Sequence, residues 1–134
     1  MTREADELAI RNLLARIAHE ADLGEDLTAY VACFSEDASW EMPEAPPVRG
    51  REALLRAARA RRAAREVGPG SDTRHVIDTT EVHVRDATAS ALSYFQFWGD
   101  TRSTPRLRVM GHYRDTFRRE AGGWCLVRRR ITIG

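Results

Sequence analysis

The sequence predicts an α+β fold in which helices precede an antiparallel sheet and cover one of its faces. Three observations carry this. Apolar residues recur at three- and four-residue spacing over residues 4–22. A further helical pattern, rich in arginine, fills residues 50–67. From residue 73 onward, four segments of strand texture follow one another across short turns.

The first helix places Ile10, Leu14, Ile17, Ala18 and Ala21 on one stripe. Thr2 or Asp6 is placed to start it, and Gly24 to stop it. "DLTAYVACF" reads as a second, short helix with Leu27, Tyr30, Val31 and Phe34 on one side. "SEDASWEM" reads as a turn feeding a short strand through Trp40. "PEAPPVRG" is a loop, because three prolines do not sit inside regular structure. The arginine-rich helix "GREALLRAARARRAAREV" ends at "GPG". No aromatics interleave its arginines, so Arg51, Arg56, Arg59, Arg61, Arg62 and Arg65 read as a solvated face rather than a nucleic-acid face. The strand segments are "TRHVIDTTEVHV", "ATASALSYFQFW", "RLRVMGHYRDTF" and "WCLVRRRITI". The turns between them, "RDA", "GDTRSTP" and "REAGG", have turn chemistry.

Length and charge bound the function. The 134 residues suit one domain spanning 1–134. Lys+Arg 21 against Asp+Glu 20 leaves a net charge of +1, so no global field draws the chain to nucleic acid or a membrane surface. Cys33 and Cys125 lie in apolar runs and read as core thiols in a reducing compartment. No Cys or His cluster has metal-ligand spacing, and no metal or organic cofactor is expected. The charged start "MTREADELAI" lacks an apolar leader core, and no apolar run reaches bilayer length, so the expectation is a cytoplasmic protein.

Side chains alternate across a strand, which sorts the candidates by face. In the third strand Leu107, Val109, Gly111, Tyr113 and Asp115 share the covered face, and His112 lies with Arg106, Arg108, Met110 and Arg114 on the other. In the fourth, Cys125, Val127, Arg129, Ile131 and Ile133 form the apolar face, with Arg129 its one charge. A charge there needs a partner. Asp115 on the neighbouring strand can supply a structural ion pair, which is the simpler reading; a substrate-orienting arginine is the functional one. Gly111 leaves a gap that suggests close approach of a ligand or backbone. Tyr113 brings a hydroxyl that wants a partner. His75 opens the first long strand, with Ile77 and Thr79 on its face. Asp22 ends the first helix beside the apolar stripe.

The helix "AIRNLLARIAHEAD", then "FSEDASW", the "TRH" that opens a strand, and "GHYRDTFRREAGGW" resemble, in order and spacing, the SnoaL-like branch of the nuclear transport factor 2-like superfamily. The spacing is most similar to the scytalone dehydratase and lindane dehydrochlorinase type, from about residue 5 to the C-terminus. The resemblance implies a cone: a curved antiparallel sheet wrapped around a deep pocket that the helices close. It implies that Asp22 orients His75, and that the imidazole removes a proton next to a leaving group. It places Arg129 where growing negative charge needs stabilising, and Val109, Gly111, Tyr113 and Trp40 in the pocket wall. The tyrosines that assist in scytalone dehydratase have no clear counterpart near residue 22; Tyr30, on the second helix, is the nearest. Those relatives carry a C-terminal extension over the pocket, whereas this sequence stops at Gly134, so the mouth is expected to be open or capped by a neighbouring subunit.

The resulting expectation is a cofactor-independent lyase or isomerase acting on a hydrophobic ring compound, polyketide- or steroid-like. One alternative is a non-catalytic binding or assembly module, such as the small subunit of a ring-hydroxylating dioxygenase. Arg106, Arg108, Arg114, Arg128 and Arg130 would then make contacts on the outer sheet face of a homodimer or homotrimer. A polyketide cyclase is the other.

Overall fold

The computed structural model describes residues 2–134. Helix α1 spans Arg3–Leu23, and Thr2 caps it by accepting from the Ala5 N–H at 3.0 Å. Asp6, the other candidate for that role, is instead buried. It accepts from Trp124 Nε1 at 3.0 Å and from Arg119, tying the start of α1 to the far end of the sheet. These bonds, that from Trp124 first, hold the Asp6 carboxyl below its ordinary range. Gly24 ends α1, and its N–H bonds the Glu20 carbonyl.

The remaining elements are α2 (Thr28–Ala32), β1 (Phe34–Glu41), β2 (Val48–Arg49), α3 (Arg51–Ala63), β3 (Arg74–Arg85), β4 (Thr88–Gly99), β5 (Arg106–Glu120) and β6 (Gly123–Ile133). They form one six-stranded sheet in the order β2-β1-β6-β5-β4-β3. Strands β3 to β6 make the expected antiparallel meander. Strand β1 adds to β6 in parallel, a pairing that no local turn signal announces. The segment read as a turn before Trp40 is strand from Phe34 onward, and the proline loop closes on the two-residue β2, where Val48 pairs with Trp40. Pro43, Pro46 and Pro47 all lie outside that pairing.

Helix α1 fills the concave face with Ile10, Leu14 and Ile17, against Phe34, Phe117 and Leu126 from the sheet. Ala89 and Ala91 on β4 are buried in the same core. Farther along β4, the inward positions become Phe95 and Phe97, and the core gives way to a cavity.

Bulges in β3, β5 and β6 bend the sheet and explain where strict alternation fails. On β3, Asp78 and Thr80 pair with consecutive residues of β4, which leaves Thr79 out of register. Thr80 then takes the inward row, and Thr79 does not share the face of His75 and Ile77. On β5, Phe97 pairs with Val109 and Trp98 with Leu107, which skips Arg108. Leu107 therefore lies beside Trp98 on the outer face and is 44% exposed, contrary to its expected place on the covered face. On β6, Val127 is skipped, so Leu126 is fully buried while Arg129 and Ile131 still point inward. The outer face accordingly mixes its arginines with exposed Val76, Tyr94, Leu107 and Met110.

Candidate active site

Asp22 sits on the last turn of α1, 2% exposed, and faces the first residues of β3. Its two oxygens grip one residue. Oδ1 lies 2.8 Å from His75 Nδ1, and Oδ2 accepts from the His75 backbone N–H at 2.8 Å. A carboxylate is an acceptor, so Nδ1 carries a ring proton and, in the neutral imidazole, Nε2 holds the lone pair. The His75 side chain is 23% exposed and lies against Phe97, with ring centroids 4.7 Å apart.

Both ends of this contact are anchored from outside. Arg62 on α3 donates to the carbonyls of Glu20, Ala21 and Glu25, which fixes the turn that carries Asp22. The approach to β3 is held by Thr73, fully buried, whose hydroxyl donates to the Glu66 carbonyl at 2.9 Å.

His75 faces a cavity of about 240 Å³. Ile17, Ala18 and Ala21 of α1 form one wall, and Phe95, Phe97, Val109 and Ile131 of the sheet form the floor. Tyr30, Trp40 and Met42 close the side toward β1. Asp22 itself lies behind His75 and does not line the space.

The second polar feature is Arg129. Its Nε and Nη2 donate to the two oxygens of Asp115 at 2.9 and 3.0 Å, so the structural ion pair exists and is fully enclosed. Arg129 also lines the cavity, so pair and pocket residue are one group. Burial works against its charge, but the Asp115 carboxylate outweighs that and holds the guanidinium protonated. The guanidinium lies over the Tyr113 ring, 3.9 Å from its centroid, and Tyr113 stacks on Phe95 at 4.3 Å. Burial pushes the Tyr113 phenol up to about 12, so it stays a neutral hydroxyl. Burial also raises the Tyr30 phenol, opposed by Arg61 and Arg129.

His75, Arg129, Trp40, Val109, Tyr113 and Tyr30 thus share one cavity, with Asp22 on His75. Gly111 does not line it. The space a side chain would use there is taken by the Thr132 carbonyl and the edge of the Phe95 ring, so its lack of Cβ serves strand and ring packing. Gly111→Ala should cost about 1–3 kcal/mol in a denaturant titration, because the backbone carbonyl cannot give way. An unchanged midpoint would contradict this close approach.

Sequence reasoning passes over Arg61, Glu66 and Val67, which also line the cavity. Arg61 is expected on the solvated helix face, but it crosses to the Trp40 ring, 5.2 Å from its centroid. The signal is present in the helical period. Leu54 and Ala58 are the buried residues of α3, and Arg61 continues their i, i+4, i+7 stripe. Glu66 and Val67 follow a helix end that composition does not aim at a pocket. Among the described residues, no three His, Cys, Asp or Glu side chains converge as metal ligands.

Solved structures share this architecture. An NTF2-like protein with a cystatin-like fold from Novosphingobium aromaticivorans is 26% identical, with a TM-score of 0.84 over 96% of this chain and 82% of that one. Rv3472(D26N) of Mycobacterium tuberculosis, a protein of unknown function, is 26% identical, with a TM-score of 0.85 over 98% and 73%. A Catenulispora acidiphila protein solved in complex with S-DNPA shares the fold at 19% identity and a TM-score of 0.78, over 98% and 95%. No curated protein matches the sequence. The SnoaL-like domain model matches residues 2–130, and the chain belongs to that family.

Proposed function

We propose that this protein is a cofactor-independent lyase or isomerase of the scytalone dehydratase and lindane dehydrochlorinase type, in which His75 is the general base and Asp22 its orienting acid. The observation that carries this reading is the double grip of Asp22 on His75 at the wall of a mostly apolar cavity. With Nδ1–H held on the carboxylate, Nε2 takes a proton from a carbon next to a carbonyl or leaving group. The released electron pair forms a C=C bond, and either the leaving group departs or the proton returns at a conjugated carbon. Asp22 stabilises the imidazolium formed in between. Arg129, with the neutral hydroxyls of Tyr113 and Tyr30, supplies positive potential and donors for the oxygen or halide that gains charge. At about 240 Å³ the cavity falls below the range of roughly 300–1,000 Å³ common for drug-sized ligands, which favours one- and two-ring substrates over steroids.

The test is deuterium exchange. One- and two-ring ketones and β-hydroxy ketones incubated with the protein in D₂O should exchange at the carbon α to the carbonyl, followed by NMR. His75→Gln should slow this about 10²–10⁴-fold. Absence of exchange or elimination across the whole panel with the wild-type protein would sink the proposal.

A further inference from the structure

The cavity holds a cation that the proposed proton transfer does not use. Four charged groups besides the Asp22–His75 pair bear on it: Arg129, Asp115 behind it, Arg61 and Glu66. Arg129 is already paired with Asp115 through two hydrogen bonds. Among the described residues, Arg61 has no carboxylate within 4.0 Å. Glu66 is exposed, and its carboxylate makes no ion pair among the described residues. Among the described residues, Arg61 is therefore the one unpaired guanidinium lining the cavity.

It is also held in place. Its guanidinium lies over the Trp40 indole, and the next residue, Arg62, is fastened to the end of α1 by its hydrogen bonds to the Glu20, Ala21 and Glu25 carbonyls. A guanidinium resting on an aromatic face presents its N–H edge, here beside the Tyr30 hydroxyl, to a planar anion, and little side-chain freedom is left to lose on binding. The sheet order sets the direction. Trp40 is on β1 and His75 on β3, with β6, β5 and β4 between them in the sheet, and Arg61 on Trp40 and the imidazole both line the one cavity.

We infer that Arg61 anchors an anionic group of the ligand, so that this site takes ring carboxylates, bound with the carboxylate at Arg61 and the reacting carbon toward His75. The inference rests on the proposed function for the orientation of the reacting end, but the preference for an anion does not depend on catalysis. It narrows the substrate class from any hydrophobic ring compound to an acidic one.

Binding of 2-naphthoate and of its neutral counterpart 2-naphthalenemethanol, by titration calorimetry, tests it. The wild-type protein should hold the carboxylate about 10–100-fold more tightly, the range expected for a charge-assisted hydrogen-bonded contact. Arg61→Met should abolish that preference while binding the alcohol with nearly unchanged affinity. Arg61→Lys should keep part of it, which guards against a misfolded methionine variant. Equal affinities in the wild type, no binding of the carboxylate at millimolar concentration, or a preference that survives Arg61→Met would overturn the inference. Carboxylate preference without any deuterium exchange would leave Arg61 as the anchor and remove the catalytic reading; exchange without preference would do the reverse.

Discussion

Replacing Asp115 with alanine should destabilise the protein by about 3–5 kcal/mol, because the variant leaves Arg129 buried and unpaired. For a chain of this size, the melting temperature should fall by on the order of 10–20 °C. The effect comes from the charge left behind rather than from any large net worth of the pair. Placing two ions in the interior costs solvation on both sides, and their attraction offsets that cost only while both are present. The double variant Asp115→Ala/Arg129→Met should therefore recover most of the loss, and a thermodynamic cycle of the two singles and the double should show strong coupling. Additive losses would mean that Arg129 finds water or another acceptor when Asp115 is gone. The pair also matters for the site. Asp115 holds two of the guanidinium's nitrogens, and this orients Arg129 over Tyr113 at the cavity wall. A buried carboxylate thus does for Arg129 what Asp22 does for His75: it fixes the direction of a functional group from behind.

Much of this is legible in the residues. The stripe of α1 is legible as Ile10, Leu14, Ile17 and Ala18, which bury against the sheet, and the four long strands announce themselves by alternation and by turn chemistry. The pairing of Arg129 with Asp115 follows from face parity alone, since one charge on an apolar face needs another. The bulges are not legible. A skipped residue such as Thr79, Arg108 or Val127 has no local signature, yet each reverses the parity of everything beyond it. That is why Leu107 is expected inward and lies outside. The parallel pairing of β1 with β6 is a contact between distant segments, which turn residues do not encode. Spacing along the chain likewise leaves Asp22 and His75 as separate candidates, 53 residues apart; only the fold closes the 2.8 Å contact. Gly111 shows the opposite failure. A missing side chain signals close approach, but sequence does not say whether a ligand, a ring or a carbonyl does the approaching.

Asp22→Asn should lower the rate of proton abstraction about 10²–10⁴-fold while leaving the fold nearly intact. The amide has almost the carboxylate's shape, but one acceptor oxygen becomes an NH₂ donor. The His75 backbone N–H can only donate, so it keeps the amide oxygen in the Oδ2 place. The NH₂ group then faces Nδ1, and two donors cannot share that 2.8 Å contact. The imidazole answers by moving its proton to Nε2 and offering a lone pair from Nδ1. The nitrogen aimed into the cavity becomes a donor, and the base is lost without any residue leaving its position. Long-range ¹H–¹⁵N spectra of the ring nitrogens should show the change of tautomer directly, and the deuterium-exchange assay should show the fall in rate. The stability change should stay within about 0.5–1.5 kcal/mol, the range of a single hydrogen bond. This separates the orienting role from a structural one. If Asp22→Asn leaves the tautomer unchanged and the rate close to that of the wild type, Asp22 only pins α1 to β3. If the rate falls with no change of tautomer, its role is to stabilise the imidazolium rather than to select the proton's position.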